Sequence, residues 1–139
     1  MINYVAGFMF SEDLSRVALI HKDRPEGLAG LWCGVGGKVE NGELDYSAMV
    51  REFKEETGVI QGKWTRFAEI RHKDYRIANF VTKGDLSKLR TMESEKIMVI
   101  PVDAALGLSK FLSSTTVYLL PLALQAINGN IFCEVTHYA

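Results

Sequence analysis

Three glutamates in one short segment carry the chemistry that this sequence shows most clearly. Glu52, Glu55 and Glu56 are three and four positions apart, the spacing at which side chains meet on one face of a helix. Carboxylates held this close repel one another unless a positive charge lies between them. Clusters of oxygen donors suit hard divalent cations such as Mg2+ or Mn2+. The pattern therefore predicts a metal site, and Arg51 is placed to hold Glu55 by a forked hydrogen bond.

A helix over residues 45–57 is predicted to position these carboxylates. Asp45 is the expected N-cap, and Gly58 stands where a glycine commonly ends a helix. The expected buried stripe follows helical spacing and consists of Tyr46, Met49, Val50, Phe53 and Thr57. An acidic helix face is often only solvated. Here, however, six of the twelve glycines lie between positions 27 and 42, where they let the backbone turn and approach a ligand.

The segment from Gly37 to Val59 resembles the Nudix box, G-x5-E-x7-R-E-U-x-E-E-x-G-U, in which U is a bulky apolar residue. All seven fixed positions match, and they are Gly37, Glu43, Arg51, Glu52, Glu55, Glu56 and Gly58. Phe53 and Val59 fill the apolar positions, and Phe53 is a mild departure because an aliphatic residue is commoner there. The resemblance implies an α/β protein, an α/β/α sandwich with a mixed central sheet. It also implies a hydrolase for nucleoside diphosphates linked to a further group, with Mg2+ or Mn2+ as cofactor.

The resemblance also implies roles for individual residues. The metal ligands would be the carbonyl of Gly37 and the carboxylates of Glu52, Glu55 and Glu56. Lys38 would meet a substrate phosphate, and Glu43 would complete the metal shell or orient Arg51. The general base would be a box glutamate or one from a later loop, where the candidates are Glu93 and Glu95.

The approach to the box, from Leu31 to Glu40, resembles that of MutT-like nucleoside triphosphate pyrophosphatases. This likeness implies a triphosphate cleaved to monophosphate and pyrophosphate, with the base against an apolar wall for which Trp32, Phe8 and Phe10 are candidates. A proline marker of ADP-ribose enzymes is absent after the box. Tyr75 lies sixteen residues past Val59, near a tyrosine typical of diadenosine polyphosphate enzymes. Dinucleoside polyphosphates and RNA 5′-triphosphates therefore remain alternatives, as does a non-catalytic nucleotide sensor, although sensors usually lose box glutamates.

Composition narrows the class of protein. The 139 residues carry 16 basic and 17 acidic side chains, a net charge of −1, which gives no positive field for extended nucleic acid. An anionic small molecule would instead meet local basic groups, for which the candidates are His21, Lys22, Arg24 and Lys38, together with the run Arg71-His72-Lys73 and Arg76. Two cysteines without C-x-x-C spacing indicate free thiols rather than a zinc site. No signal peptide or membrane span is evident, so we expect a cytoplasmic protein, monomeric or homodimeric.

Hydrophobic patterning predicts one α/β domain over residues 1–139. Strands are expected at Ile2–Phe10, Arg16–His21, Leu31–Val35, Arg66–His72, Arg76–Thr82 and Lys96–Val102. A second helix is expected over residues 115–128. Because proline is tolerated in the first helical turn, Pro121 suggests that this helix starts near Leu120.

Overall fold

The computed structural model describes residues 1–138. The strands are β1 (Ile2–Ser11), β2 (Arg16–His21), β3 (Trp32–Cys33), β4 (Val35–Lys38), β5 (Thr65–Arg71), β6 (Tyr75–Gly84), β7 (Lys96–Pro101) and β8 (Cys133–Thr136). The helices are α1 (Asp45–Thr57), α2 (Val102–Gly107) and α3 (Thr116–Ala126), with short 3-10 turns at Leu86–Lys88 and Ser109–Phe111. None of the helices within these residues is long and apolar enough to cross a membrane.

The eight strands form one mixed sheet, which confirms the predicted fold class. The main path runs β3-β2-β1-β6-β5-β8, while β4 pairs with β1 and β7 pairs with β2. The β1–β6 and β5–β8 pairs are parallel, and the other pairs are antiparallel. Strand β1 is therefore the centre of the sheet, and it brings the glycine-rich β4 beside the strands that support α1.

The two faces of β1 belong to two different cores, as the alternation of side chains along a strand requires. Phe8 and Phe10 pack on one face with residues of α2 and α3. Val5 and Met9 pack on the other face with residues of α1. The sheet is thus sandwiched between α1 and α3. The functional residues predicted on α1 lie on the face of the sheet opposite α3.

The ends of α1 differ in part from the sequence prediction. Gly58 ends the helix with φ of 79° and donates its N–H to the carbonyl of Lys54, as predicted. Asp45 is not the N-cap, because Leu44 occupies that position without a side-chain cap. The carboxylate of Asp45 binds Arg76 instead, with oxygen–nitrogen distances of 2.9 and 3.0 Å. A charged partner from the sheet thus replaces the expected capping hydrogen bond.

The buried stripe of α1 is shifted from the predicted one. Its buried residues are Ala48, Met49, Phe53, Glu56 and Thr57. Tyr46 is exposed, so this part of the prediction is wrong, whereas Val50 is half-buried and packs against the same core as Met49 and Phe53. The side of the helix that contacts the sheet includes Glu56, and this burial of a carboxylate matters for the site.

The last helix lies within the predicted range of residues 115–128, but it does not start near Leu120 as Pro121 suggested. Helix α3 begins at Thr116, whose backbone N–H donates to Ser113 Oγ at 3.2 Å, and Pro121 lies inside the helix. A proline in a helix interior costs about 3 kcal/mol because it removes one backbone hydrogen bond. Burial of Leu119, Leu120 and Ala123 against the sheet offsets that cost.

The hairpin predicted around residues 73–75 is present as β5 and β6. The strand predicted over residues 31–35 is shorter, because β3 covers only two residues and β4 follows after Gly34. Strands β4 and β8 were not predicted. Each is short and pairs with a longer neighbour, so partners distant in the sequence, rather than local propensity, define them.

Candidate active site

The close packing of α1 on β4 fixes the first box glutamate. Gly37 pairs with Val5 in the sheet, and its Cα faces the Glu52 side chain. A Cβ at position 37 would overlap the Glu52 carboxylate, so only glycine leaves room for that carboxylate against the strand. The predicted pair of metal ligands, the Gly37 backbone and Glu52, is therefore brought together by the fold.

Arg51 connects the box residues to one another. Its Nε and Nη2 donate to the two carboxylate oxygens of Glu43 at 2.8 and 2.9 Å, and Nη2 also donates to the Lys38 carbonyl at 3.0 Å. Its Nη1 donates to Glu52 at 2.9 Å and more weakly to Glu55 at 3.3 Å. The fork from two nitrogens thus forms with Glu43, while the predicted contact with Glu55 is present as weaker bonds from Nη1 to both of its oxygens. Of the two roles expected for Glu43, this geometry provides the orientation of Arg51.

These contacts perturb the ionisation of both partners. Hydrogen bonds from Arg51 hold the pKa of Glu43 below its usual value, and the bonds to Glu43 raise the pKa of Arg51. Burial raises the pKa of Glu52, although Arg51 opposes that effect. Arg51 is therefore a permanent cation that keeps three carboxylates close together before any metal binds.

Glu56 is the most perturbed carboxylate of the cluster. It is only 8% exposed, and its Oε2 atom has no hydrogen-bond partner in the structure. Burial, followed by repulsion from Glu93, Glu95 and Glu52, raises its pKa from 4.5 to about 7. An unpaired buried carboxylate oxygen is costly, so the site stores unfavourable energy that a bound cation would relieve.

The donor set fits a hard divalent cation. Glu52, Glu55 and Glu56 supply only carboxylate oxygens, the ligands that Mg2+ and Mn2+ prefer. Glu56 Oε2 is unpartnered, and the Glu52 carboxylate lies directly against the backbone of Gly37. Within residues 1–138, no three His, Cys, Asp or Glu side chains already converge into a coordination shell. A bound divalent cation would neutralise the repulsion between Glu52, Glu55 and Glu56 and draw their oxygens together.

The loop between the 3-10 turn at Leu86–Lys88 and β7 covers the end of α1. The N–H groups of Arg90 and Met92 donate to the carbonyls of Thr57 and Glu56, at 3.0 and 3.2 Å. This contact brings Glu93 close enough to raise the pKa of Glu56. The loop that sequence reasoning proposed as a source of the base therefore adjoins the carboxylate cluster.

The two candidate bases on this loop differ in their surroundings. Glu93 is exposed. Glu95 is 8% exposed, and its oxygens accept hydrogen bonds from Lys22 Nζ at 2.9 Å and from the Asp23 N–H at 2.8 Å. Burial opposes ionisation of Glu95, but these two donors outweigh it and lower the pKa. Both oxygens of Glu95 are engaged, which leaves Glu93 as the loop carboxylate free to meet a water.

Several box residues line a cavity of about 850 Å3. Its lining includes Lys38, Glu43, Arg51, Glu52 and Glu55. The Lys38 side chain is exposed, and its strand position is opposite Tyr4. The glycine strand thus places one basic side chain next to the carboxylates.

The aromatic candidates are separated by the structure. Phe8 and Phe10 are fully buried, and Phe8 packs edge-on against Phe67 with ring centroids 6.2 Å apart. Their predicted contact with a base is therefore wrong, because the core covers both rings. Trp32 is half-buried and its ring centroid lies 4.7 Å from that of His21, so it retains a partly accessible surface.

Tyr75 lies at the start of β6, and its ring stacks on His72 at 4.6 Å between centroids. An edge contact with Tyr4 at 6.2 Å covers another side of the ring. Tyr75 is absent from the lining of the cavity that contains Arg51 and Glu52. No contact among the residues that the structure describes tests the substrate role of Tyr75, which stays a prediction.

Two groups of contacts were missed by sequence reasoning. One is the Lys22–Glu95 pair, which joins residues 73 positions apart. The other is Arg76, whose guanidinium joins Asp45 to Glu69. Only the presence of basic residues near these positions was visible in the sequence, because no local pattern indicates which distant acid a basic side chain will meet.

Comparison with known proteins agrees with this geometry. The NUDIX domain profile matches residues 3–111. A MutT structure from work on the Aliivibrio salmonicida and Vibrio cholerae proteins has 24% identity and a TM-score of 0.75, covering 91% of this chain and 98% of that one. MutT from Bacillus halodurans has 18% identity and a TM-score of 0.77, covering 98% and 88%. A MutT NUDIX hydrolase from Burkholderia pseudomallei has 20% identity and a TM-score of 0.67, covering 89% and 95%.

No curated protein matches the chain significantly. At these identities the similarity to the solved structures concerns the fold, while the profile covers most of the chain, including the whole carboxylate segment. The chain therefore belongs to the Nudix family of hydrolases, which act on phosphorus-containing anhydrides.

Proposed function

We propose that this chain is an Mg2+-dependent pyrophosphohydrolase, also served by Mn2+, that cleaves a nucleoside triphosphate to the monophosphate and pyrophosphate. The observation that carries the proposal is the position of the Glu52 carboxylate against Gly37, with the unpartnered oxygen of Glu56 on the same helix. A cation bound by these groups supplies charge neutralisation and Lewis-acid activation for attack on phosphorus. The chain's own residues supply the remaining functions.

Each residue of the cluster has a distinct task in this proposal. Glu52, Glu55 and Glu56, with the Gly37 carbonyl, hold the cation. Arg51, fixed by its two bonds to Glu43, keeps Glu52 in place through a hydrogen bond of 2.9 Å. The exposed ammonium of Lys38 binds a substrate phosphate and stabilises charge that develops during the reaction.

We assign the general base to Glu93. Its charge already raises the pKa of Glu56, so it is near the cluster, and it is exposed to water. The backbone bonds of Arg90 and Met92 hold its loop against the end of α1, and the Lys22–Glu95 pair ties the same loop to the segment after β2. Glu93→Gln is expected to lower kcat by about 10^2-fold or more with little change in KM, whereas Glu95→Gln is expected mainly to lower stability.

The choice of a nucleoside triphosphate rests on Trp32. The half-buried indole, tilted against His21 at 4.7 Å, offers an aromatic surface five residues before Gly37 in the sequence. A base held there anchors one end of the substrate while the carboxylate cluster and Lys38 hold the phosphates. Anchoring at both ends directs attack to an internal phosphorus. The solved structures with the same fold include MutT proteins, which supports this substrate class.

The test is a nucleotide panel assayed with and without Mg2+. Ribo- and deoxyribonucleoside triphosphates, diadenosine tetraphosphate, triphosphorylated RNA and ADP-ribose are incubated with the enzyme, and all products are separated and quantified by ion-exchange chromatography. We expect metal-dependent cleavage of a triphosphate, loss of about 10^2–10^3-fold in kcat for Glu56→Gln, and no change for Glu12→Gln at an exposed control position. Higher kcat/KM for the dinucleotide, or metal-independent turnover, would contradict the proposal.

A further inference from the structure

Arg76 ties the catalytic helix to three strands through a single guanidinium. Nη1 and Nη2 donate to the Asp45 carboxylate at the start of α1, at 3.0 and 2.9 Å. Nη1 also donates to Glu69 of β5 at 2.7 Å, and Nε donates to Asn3 of β1 at 3.2 Å. Since Arg76 itself belongs to β6, one planar group fixes the first turn of the helix relative to β1, β5 and β6.

This link bears on the metal site through the geometry of the helix. Asp45 and Glu52 are seven residues apart, nearly two turns, so they lie on the same face about 10 Å from each other. Asp45, Arg76 and Glu52 line the same cavity. The helix start has no side-chain cap, so the Arg76 fork is the polar anchor of this end. A small rotation of α1 would move Glu52 relative to Gly37, against which it is tightly packed.

The negative charge of the buried Glu69 has other basic partners besides Arg76. Glu69 has 3% side-chain exposure, and it is also paired with Arg66 and with Arg71, the latter at 2.5 Å. Arg66 lies 3.8 Å from Asp45 and makes no fork with it. The bidentate contact to α1 is therefore the feature that distinguishes Arg76 from its two basic neighbours.

We propose that Arg76 is a positioning residue for the metal site: its forked contact with Asp45 sets the orientation of α1 that places Glu52 against Gly37. The inference rests on the proposed function in that α1 binds the divalent cation. It adds a residue outside the box, 20 positions after Glu56, on which the geometry of the carboxylates depends.

The variant that tests this inference is Arg76→Lys, which keeps the positive charge beside Glu69 but cannot form the fork. Arg71→Gln is the matched control, because it removes a cation from Glu69, and within residues 1–138 Arg71 forms no ion pair with a residue of α1. Asp45→Asn removes the charge at the other end of the fork while leaving Arg76 beside Glu69. All variants are compared at a temperature where circular dichroism shows them to be folded.

Two readouts are independent of turnover. Mn2+ affinity is measured by electron paramagnetic resonance without nucleotide, and hydrogen exchange of the first turn of α1 is measured without metal. We expect Arg76→Lys and Asp45→Asn each to weaken Mn2+ binding by about tenfold, the lower end of the effect of outer-shell partners, and to speed exchange at the start of α1. We expect no such change for Arg71→Gln, and no further loss in the Asp45→Asn/Arg76→Lys double variant, because both changes break one contact.

Mn2+ affinity that is unchanged in folded Arg76→Lys would overturn the inference. So would an equal loss in Arg71→Gln, since charge balance around Glu69 would then explain the effect. If Arg76→Lys fails to fold, Asp45→Asn decides by the same two measurements. In the wild-type enzyme, failure to hydrolyse triphosphates would reject the proposed function, whereas the Mn2+ affinities of the variants would still decide the role of Arg76. A raised Mg2+ half-activation constant with an unchanged nucleotide KM would further support positioning.

Discussion

Replacement of Glu56 by glutamine distinguishes what this buried carboxylate costs the metal-free protein in stability from what it contributes to the proposed metal binding. In the folded protein the pKa of Glu56 is raised to about 7 from 4.5, so the folded state holds the proton more tightly than the unfolded chain does. Glu56 therefore lowers the stability of the metal-free protein as pH rises from 4.5 towards 7. Above that window the full cost is present, and below it the cost is absent.

The size of the effect follows from the shift. A pKa displaced from 4.5 to about 7 corresponds to about 3 kcal/mol of destabilisation above neutral pH. Glutamine keeps the shape and removes the charge, but its buried amide group lacks the partner that Glu56 Oε2 also lacks, at a cost of about 1 kcal/mol. We expect the metal-free Glu56→Gln protein to be more stable than wild type by about 2 kcal/mol at pH about 8.

Urea unfolding in the presence of a chelator measures this difference. At pH about 4, where the wild-type carboxyl is mostly protonated in both states, we expect the gain to be lost and the variant to be less stable by about 1 kcal/mol, the cost of its unpaired amide. Other titrating groups largely cancel, because both proteins contain them. Addition of Mg2+ should then stabilise wild type more than the variant, since the cation binds only the folded state.

A destabilised variant at pH about 8, or a gain of the same size at both pH values, would refute the reasoning about Glu56. The first result would mean that its carboxylate has favourable contacts that outweigh burial. The second would mean that ionisation is irrelevant to the difference. Wild-type turnover of the variant at saturating Mg2+ would separately reject Glu56 as a ligand.

Three further predictions follow from the geometry. Gly37→Ala should weaken Mn2+ binding measured by calorimetry, because a Cβ there overlaps the Glu52 carboxylate; unchanged affinity would refute this. Phe8→Ala should lower the free energy of unfolding by about 3–5 kcal/mol, because the ring belongs to the core. It should not raise the nucleotide KM of the folded enzyme. Lys22→Met should destabilise by about 1–3 kcal/mol at neutral pH and progressively less as pH falls, because the pKa of Glu95 is lowered partly by this partner.

The carboxylate helix was predictable because its information is local. Spacing alone placed Glu52, Glu55 and Glu56 on a common helix, and Gly58 ends that helix with the expected positive φ. The main strands were predictable for the same reason, since their apolar runs are continuous. The hairpin formed by β5 and β6 followed from alternation around a polar turn.

The parts that failed depend on contacts between distant residues. Asp45 has the side chain of an N-cap, yet Arg76, 31 positions away, binds its carboxylate. Phe8 is an aromatic residue near the N-terminus, but the side of β1 on which it lies is set by pairing with β6. The fork of Arg51 goes to Glu43 rather than Glu55 because the loop before α1 brings Glu43 back beside the helix.

The position of bond cleavage tests the central claim most directly. The enzyme is incubated with its best nucleoside triphosphate in 18O-labelled water with Mg2+, and each product is analysed by mass spectrometry without added pyrophosphatase. Attack at an internal phosphorus predicts that the label appears in the nucleoside monophosphate or in pyrophosphate. Label in orthophosphate, with a nucleoside diphosphate as the other product, would contradict the account.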